Sequence, residues 1–126
     1  MPNANKQKGD RAEAAVRDFL KAHGFRDAFR TRAGWDDDRG DVIVPEKRSQ
    51  PGGLCIQVKD VATPAWKEWF RQLADQVDNG NHRHGVIWWK RRGSSDPGKW
   101  TVMMDGYAFL EILEHLGYPR QAPDGD

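Results

Sequence analysis

GDVIVPEKRSQPGGLCIQVKD, residues 40–60, holds two apolar runs, VIV at 42–44 and LCIQV at 54–58, on either side of a loop containing proline and glycine. Short β-branched runs bounded in this way read as neighbouring strands of a meander. Both runs carry polar groups: Asp41 heads the first, and Gln57 and Lys59 stand near the end of the second. A buried charge or amide without partners costs several kcal/mol, so these three residues should serve one another, an ion, or both. Side chains alternate along a strand, so Gln57 and Lys59 leave one face, about 6.6 Å apart, while Leu54, Ile56 and Val58 leave the other. If the two strands pair through the loop, the Asp41 carboxylate comes beside the same polar edge.

The flanking sequence supplies helices. From Asp10 to His23 the residues Ala12, Ala15, Val16, Phe19 and Leu20 recur at helical spacing, and Gly24 supplies a stop. FRDAFRTRAGW, which follows, has a weak strand signal. Past Pro64, the residues Trp66, Trp69, Phe70, Leu73 and Val77 share one helical face, closed by NGN at 79–81. VIWW at 86–89 and WTVMM at 100–104 read as a strand pair around RRGSSDPGK, and YAFLEILEHLG predicts a terminal helix ending at Gly117. The order is αβββαββα, an α/β fold with a mixed central sheet flanked by helices. Residues 1–118 are expected to form one domain, with a flexible tail over 119–126.

Composition agrees with a single compact domain: 126 residues, of which 37% are hydrophobic. No apolar stretch approaches the roughly 20 residues that span a bilayer, so no membrane partner is expected. MPNANKQKGD has no apolar core of a signal peptide, and the one cysteine, Cys55, cannot form an intramolecular disulfide. The expectation is a cytoplasmic, reducing location. Net charge is only +1, but residues 1–104 hold 19 Lys/Arg against 14 Asp/Glu, and residues 105–126 hold one against five. A mildly basic body beside an acidic tail can attract a polyanion, although most charge runs are solvated faces.

An aspartate, a second oxygen donor and a lysine in one cleft suit a hard divalent cation. Mg²⁺ takes one or two carboxylates plus waters and leaves room for a phosphate oxygen, which fits Asp41. A nearby ammonium orients the attacking water or offsets transition-state charge, which fits Lys59. Gln57 offers a neutral carbonyl oxygen, a weaker ligand than a carboxylate. A structural reading of Lys59 is an ion pair with Asp41 or Asp60. Glu13 borders the first helix's apolar stripe, about 20° round from Leu20 at 100° per residue, and can face a cleft. Equally, Asp10 and Glu13 have capping-box spacing.

Taken in order, KGDRAEAAVRDFLKAHGF, GDVIV and QVK resemble the PD-(D/E)XK nucleases, and within them the archaeal-type and phage Holliday junction resolvase branch, over roughly residues 6–117. The family's first-helix glutamate matches Glu13, its aspartate matches Asp41, and its (D/E)XK tripeptide falls on Gln57, Val58 and Lys59. Gly40 stands where the family name has proline, and Gln57 replaces the acidic residue, removing one negative charge. Some transposon end-cutting endonucleases of this fold also carry Q-X-K. The resemblance implies a restriction-endonuclease-like core and a Mg²⁺ (or Mn²⁺) site made by Asp41, the Gln57 side chain and the Val58 carbonyl. It further implies that Glu13 holds a metal-bound water or second ion, and that Lys59 positions the attacking water.

For phosphate contact the candidates are Arg30, Arg32, Lys67, Arg71, Lys90, Arg91 and Arg92, which would neutralise phosphates and read no sequence. Trp66, Trp69, Trp88 and Trp89 lie in the same region, but Trp66 and Trp69 follow core spacing, and packing is favoured over base stacking. Trp35 is the more plausible exposed aromatic. The acidic run at Asp36, Asp37 and Asp38 reads as a solvated turn. His82 and His84 lack further ligands at zinc spacing. Cys55 reads as a small buried hydrophobe. The resulting expectation is a metal-dependent DNA endonuclease acting on branched DNA as a homodimer, since a four-way junction is two-fold symmetric. Tryptophan-rich surface on the sheet or second helix would supply the interface. The alternatives are a catalytically silent DNA-binding module and a nicking, repair or restriction nuclease of the same fold.

Overall fold

The computed structural model describes residues 4–31, 40–46 and 53–122. Its elements are α1 (Ala4–Ala22), β1 (Phe29–Arg30), β2 (Val42–Val44), β3 (Leu54–Lys59), α2 (Trp66–Asn79), β4 (His84–Trp89), a 3₁₀ turn (Pro97–Lys99), β5 (Thr101–Met103) and α3 (Gly106–His115). The five strands form one mixed sheet in the order β1-β2-β3-β4-β5. β1, β2 and β3 are a meander, β3 and β4 run parallel with α2 as the crossover, and β5 returns antiparallel to β4. The fold is α/β in the element order that the sequence predicts.

The alternation of β3 divides the core. Val42, Ile56, Val58, Val86, Trp88 and Trp100 pack with Ala12 and Val16 of α1 on one face. Ile43, Cys55 and Ile87 pack with Trp69 and Leu73 of α2 on the other. Gln57 and Lys59 continue the Cys55 face towards α2. At Gly85 the helix approaches so closely that an added Cβ would lie 2.7 Å from Leu73 Cδ1, so side-chain-free backbone in β4 lets α2 sit down on the sheet.

Element ends depart from the predicted ones for physical reasons. Helix α1 begins at Ala4, six residues before Asp10, because Lys, Gln and Ala are good helix formers and the first two turns are exposed. The apolar period marks only the part that packs. Asp10 and Glu13 therefore lie inside the helix, which corrects the capping-box reading. Strand β4 starts at His84, since pairing with β3 runs from Leu54↔His84 to Lys59↔Trp89 irrespective of side-chain polarity. Strand β1 is two residues long.

Helix α3 is capped by Asp105, which accepts from Ala108 N at 2.9 Å. It ends with Gly117 at φ +84°, Gly117 N bonding Glu114 O and Tyr118 N bonding Leu113 O, a Schellman closure. Residues 119–122 follow without helix or strand, and the rest of the expected tail lies outside the described residues. No helix among the described residues is long and apolar enough to cross a membrane.

Candidate functional site

Strand β2 stops where the polar cluster begins. Its register, Val42↔Ile56, puts Asp41 opposite Gln57, and Asp41 N bonds Ile56 O at 3.0 Å. The ladder then gives way to a side chain: Asp41 Oδ2 accepts from Val58 N at 2.8 Å. In extended backbone the N–H and C=O of one residue point to the same side, so the Val58 carbonyl also faces the end of β2. Gly40, just before, holds φ +100° against the Sγ of Cys55, a conformation proline cannot adopt.

Gln57 is 2% exposed and Lys59 is half-buried. Both reach Gln72 of α2: Gln57 Nε2 donates to Gln72 Oε1 at 3.0 Å and Lys59 Nζ donates to the same oxygen at 3.4 Å. Gln72 Nε2 in turn donates to Glu68 Oε1 at 3.2 Å. A carboxylate only accepts and an ammonium only donates, so the amide orientations are fixed along this chain. Gln57 is left with Oε1 buried and, among the described residues, without a hydrogen-bond partner. Lys59 Nζ also lies 5.6 Å from the centre of the Trp69 ring. Asp60 pairs with Lys8 at 3.6 Å and Lys90 at 3.7 Å, so the ion pair considered for Lys59 with Asp60 is not the one made.

Glu13 approaches from the other helix. Arg30, on β1, bonds Asp10 Oδ1 at 3.0 Å and Glu13 Oε1 at 3.2 Å. Burial nevertheless holds the Glu13 carboxyl above its ordinary range; Arg30 opposes this by charge and hydrogen bond, Asp10 adds to it, and Lys59 opposes it. Lys59 thus lies within electrostatic reach of helices on both faces, since it also helps Arg71 and Gln72 hold the exposed Glu68 carboxyl low. A raised folded-state pKa means stability present at acid pH and lost as pH rises through that value. Glu13→Gln should therefore gain stability relative to the parent as pH rises from acid to neutral. Denaturant midpoints measured across that range in EDTA check this, and a difference moving the other way contradicts the burial argument.

Among the described residues no group of three or more His, Cys, Asp and Glu side chains is placed to hold a metal ion. The donor set here is different: one carboxylate, an orphaned amide oxygen and a backbone carbonyl, all hard oxygens suited to Mg²⁺ or Mn²⁺. The residues fit such an ion, with one negative charge fewer than two carboxylates would provide.

The cationic candidates fall into three settings. Arg30 is half-buried and engaged with α1, so a phosphate would have to compete with Asp10 and Glu13. Lys67 and Arg71 are exposed on α2, the latter paired with Glu68 at 2.5 Å and Asp75 at 3.3 Å. Lys90, Arg91 and Arg92 follow β4; Lys90 lies over the Trp100 ring, and Arg91 and Arg92 are exposed. With Val61, Ala62, Trp89 and Thr101 they line a cavity of about 340 Å³. Arg32, Trp35 and the acidic run at 36–38 lie outside the described residues.

Trp66, Trp69 and Trp89 form an edge-to-face trio with centroids 5.2–6.2 Å apart, and Trp69 and Trp88 are buried, so packing accounts for most of these rings. Cys55 is fully buried, as its strand position implies. His84 pairs with Glu111 of α3 at 2.8 Å. Sequence reading missed Gln72 and Glu68. The available signal was Gln72 one position before Leu73, at the margin of the apolar stripe, but the sequence alone cannot tell which strand residues that margin meets.

Compared with protein-family models, with curated proteins and with solved structures, the chain matches none of them.

Proposed function

We propose that the chain is a divalent-cation-dependent endonuclease that hydrolyses phosphodiester bonds in branched DNA, the four-way junction being the substrate class. The observation that carries this reading is Gln57 Oε1, a buried acceptor without a partner among the described residues, on a residue that stands opposite Asp41 in the strand register and shares Gln72 with Lys59. A group of this kind costs stability unless something binds it. Asp41, Gln57 Oε1 and the Val58 carbonyl would hold Mg²⁺ or Mn²⁺, with Glu13 on the α1 side. When bound, the ion would neutralise phosphate charge and polarise the scissile bond.

The chain's own groups do the rest. The Val58 N–H fixes the rotamer of Asp41, so its carboxylate is set before substrate arrives. Lys59, restrained by Gln72, presents an ammonium to the reacting phosphate, where it orients water and offsets charge gathering in the transition state. Glu13 accepts a hydrogen bond from water on the opposite flank. Lys67, Arg71, Lys90, Arg91 and Arg92 neutralise backbone phosphates. The two-fold symmetry of a junction calls for two such sites, hence a homodimer. Trp69 and Trp88 are turned into the core, so the tryptophan surface considered for pairing reduces to Trp66 and part of Trp89.

Cleavage assays on linear, flap and four-way DNA with Mg²⁺, with Mn²⁺ and with EDTA test this. The expected result is metal-dependent product from the four-way substrate, with binding that weakens steeply with salt, by roughly 0.9 in log–log slope per neutralised phosphate. A flat salt response removes the phosphate-contact argument. One observation favours a second reading: Gln57 is neutral, as expected of a decayed metal site. Junction binding without product in either metal would select that silent DNA-binding module, and product from linear or flap DNA alone would select a nuclease with another target.

A further inference from the structure

Gln57 is a poor ligand by chemistry and an ambiguous one by geometry. Its amide has one acceptor and one donor end, nearly equal in shape, and a rotation of about 180° would put NH₂ where the oxygen stands. Presented to a cation, that NH₂ repels. A (D/E)XK acid has no such problem, because both ends of a carboxylate accept. A site built on glutamine therefore needs something to choose the end.

We infer that Gln72 of α2 is the positioning residue that makes this choice. Gln72 lies on another element, 15 residues along the chain, and its Oε1 meets Gln57 Nε2 at 3.0 Å. Its own orientation is imposed from both sides: Glu68 Oε1 accepts from its NH₂ at 3.2 Å, and the Lys59 ammonium donates to its oxygen at 3.4 Å. With that oxygen fixed, the Gln57 NH₂ is drawn towards α2. The Gln57 oxygen is left as the buried acceptor that has no partner among the described residues. The same contact restrains Lys59, so one side chain sets both the ligand atom and the amine. This role rests on the cation site proposed above.

The test titrates Mn²⁺ into the full chain by calorimetry, with no DNA present. Four proteins are compared: the parent, Gln72→Met, Gln57→Glu and the double variant. Methionine keeps the length and apolar stem of Gln72, and Gln72→Ala serves as the second truncation; a cooperative melt certifies the fold of each.

Loss of an outer contact to a ligand typically costs about 10-fold or more in metal affinity, and that weakening is expected for Gln72→Met in the parent background. In the Gln57→Glu background the loss should vanish, because a carboxylate leaves no end to choose. Equal loss in both backgrounds would mark Gln72 as a packing residue and overturn the inference. So would unchanged Mn²⁺ affinity in both truncations while the parent binds. A parent chain that takes up no Mn²⁺ would remove the cation site itself, an outcome distinct from failure of Gln72 alone.

Discussion

Asp41→Asn and Lys59→Met should each lower junction cleavage by about 10²–10³-fold while leaving junction binding within a few-fold of the parent. The choice of substitutions follows from the contacts. Asp41 Oδ2 is the acceptor for Val58 N, so Asp41→Ala would strand a backbone N–H at the end of β2 and cost about 1–3 kcal/mol of stability on its own. Asparagine keeps an oxygen for that bond and removes only the charge. Methionine keeps the Lys59 stem against Trp69 and removes the ammonium that reaches Gln72. Single-turnover cleavage and gel-shift titration on one junction separate chemistry from binding. Full cutting by either variant would rule out the site, and lost binding in both would mean that these residues serve DNA contact or folding instead.

Gly40→Ala should destabilise the fold by about 2–5 kcal/mol, a large share of the roughly 5–15 kcal/mol that a domain of this kind commands. Two causes add. At φ +100° an L-residue is strained whatever the space, and the added Cβ would overlap Cys55 Sγ in the closed α2-side core. They can be separated: Gly40→Ala combined with Cys55→Ala removes the overlap and keeps the strain, so it should recover part of the loss. Gly40→Pro should not fold, because the φ of proline is locked near −65°. Urea denaturation reads all three. A Gly40→Ala chain as stable as the parent would mean that the turn into β2 is not held as described.

Strong, local periodicity was legible in the sequence. The α2 stripe predicts a helix that is observed over Trp66–Asn79, and the two apolar runs around the proline-and-glycine loop become adjacent antiparallel strands. The common face of Gln57 and Lys59, and the place of Asp41 opposite Gln57, are readable too, because strand alternation fixes faces once pairing is granted.

What the sequence hid is long-range or uniformly polar. The first two turns of α1 bury little and so carry no period, which shifted the predicted start and made Asp10 and Glu13 look like a cap. The pairing of Arg30 with those two carboxylates crosses from β1 to α1 and leaves no local trace. Gln72 reads as one more polar residue on an exposed helix flank. Only the packing of α2 on β3 turns it towards Gln57, and Gly85, which permits that approach, lies just before the strand that the sequence predicts at 86–89.

Anomalous diffraction from a crystal soaked in Mn²⁺ would show whether Asp41, Gln57 and Val58 hold a cation. The expected result is a peak between an Asp41 carboxylate oxygen, Gln57 Oε1 and the Val58 carbonyl oxygen, the three groups that would hold the ion. A peak elsewhere, or a fully soaked crystal with none between those three atoms, would contradict it.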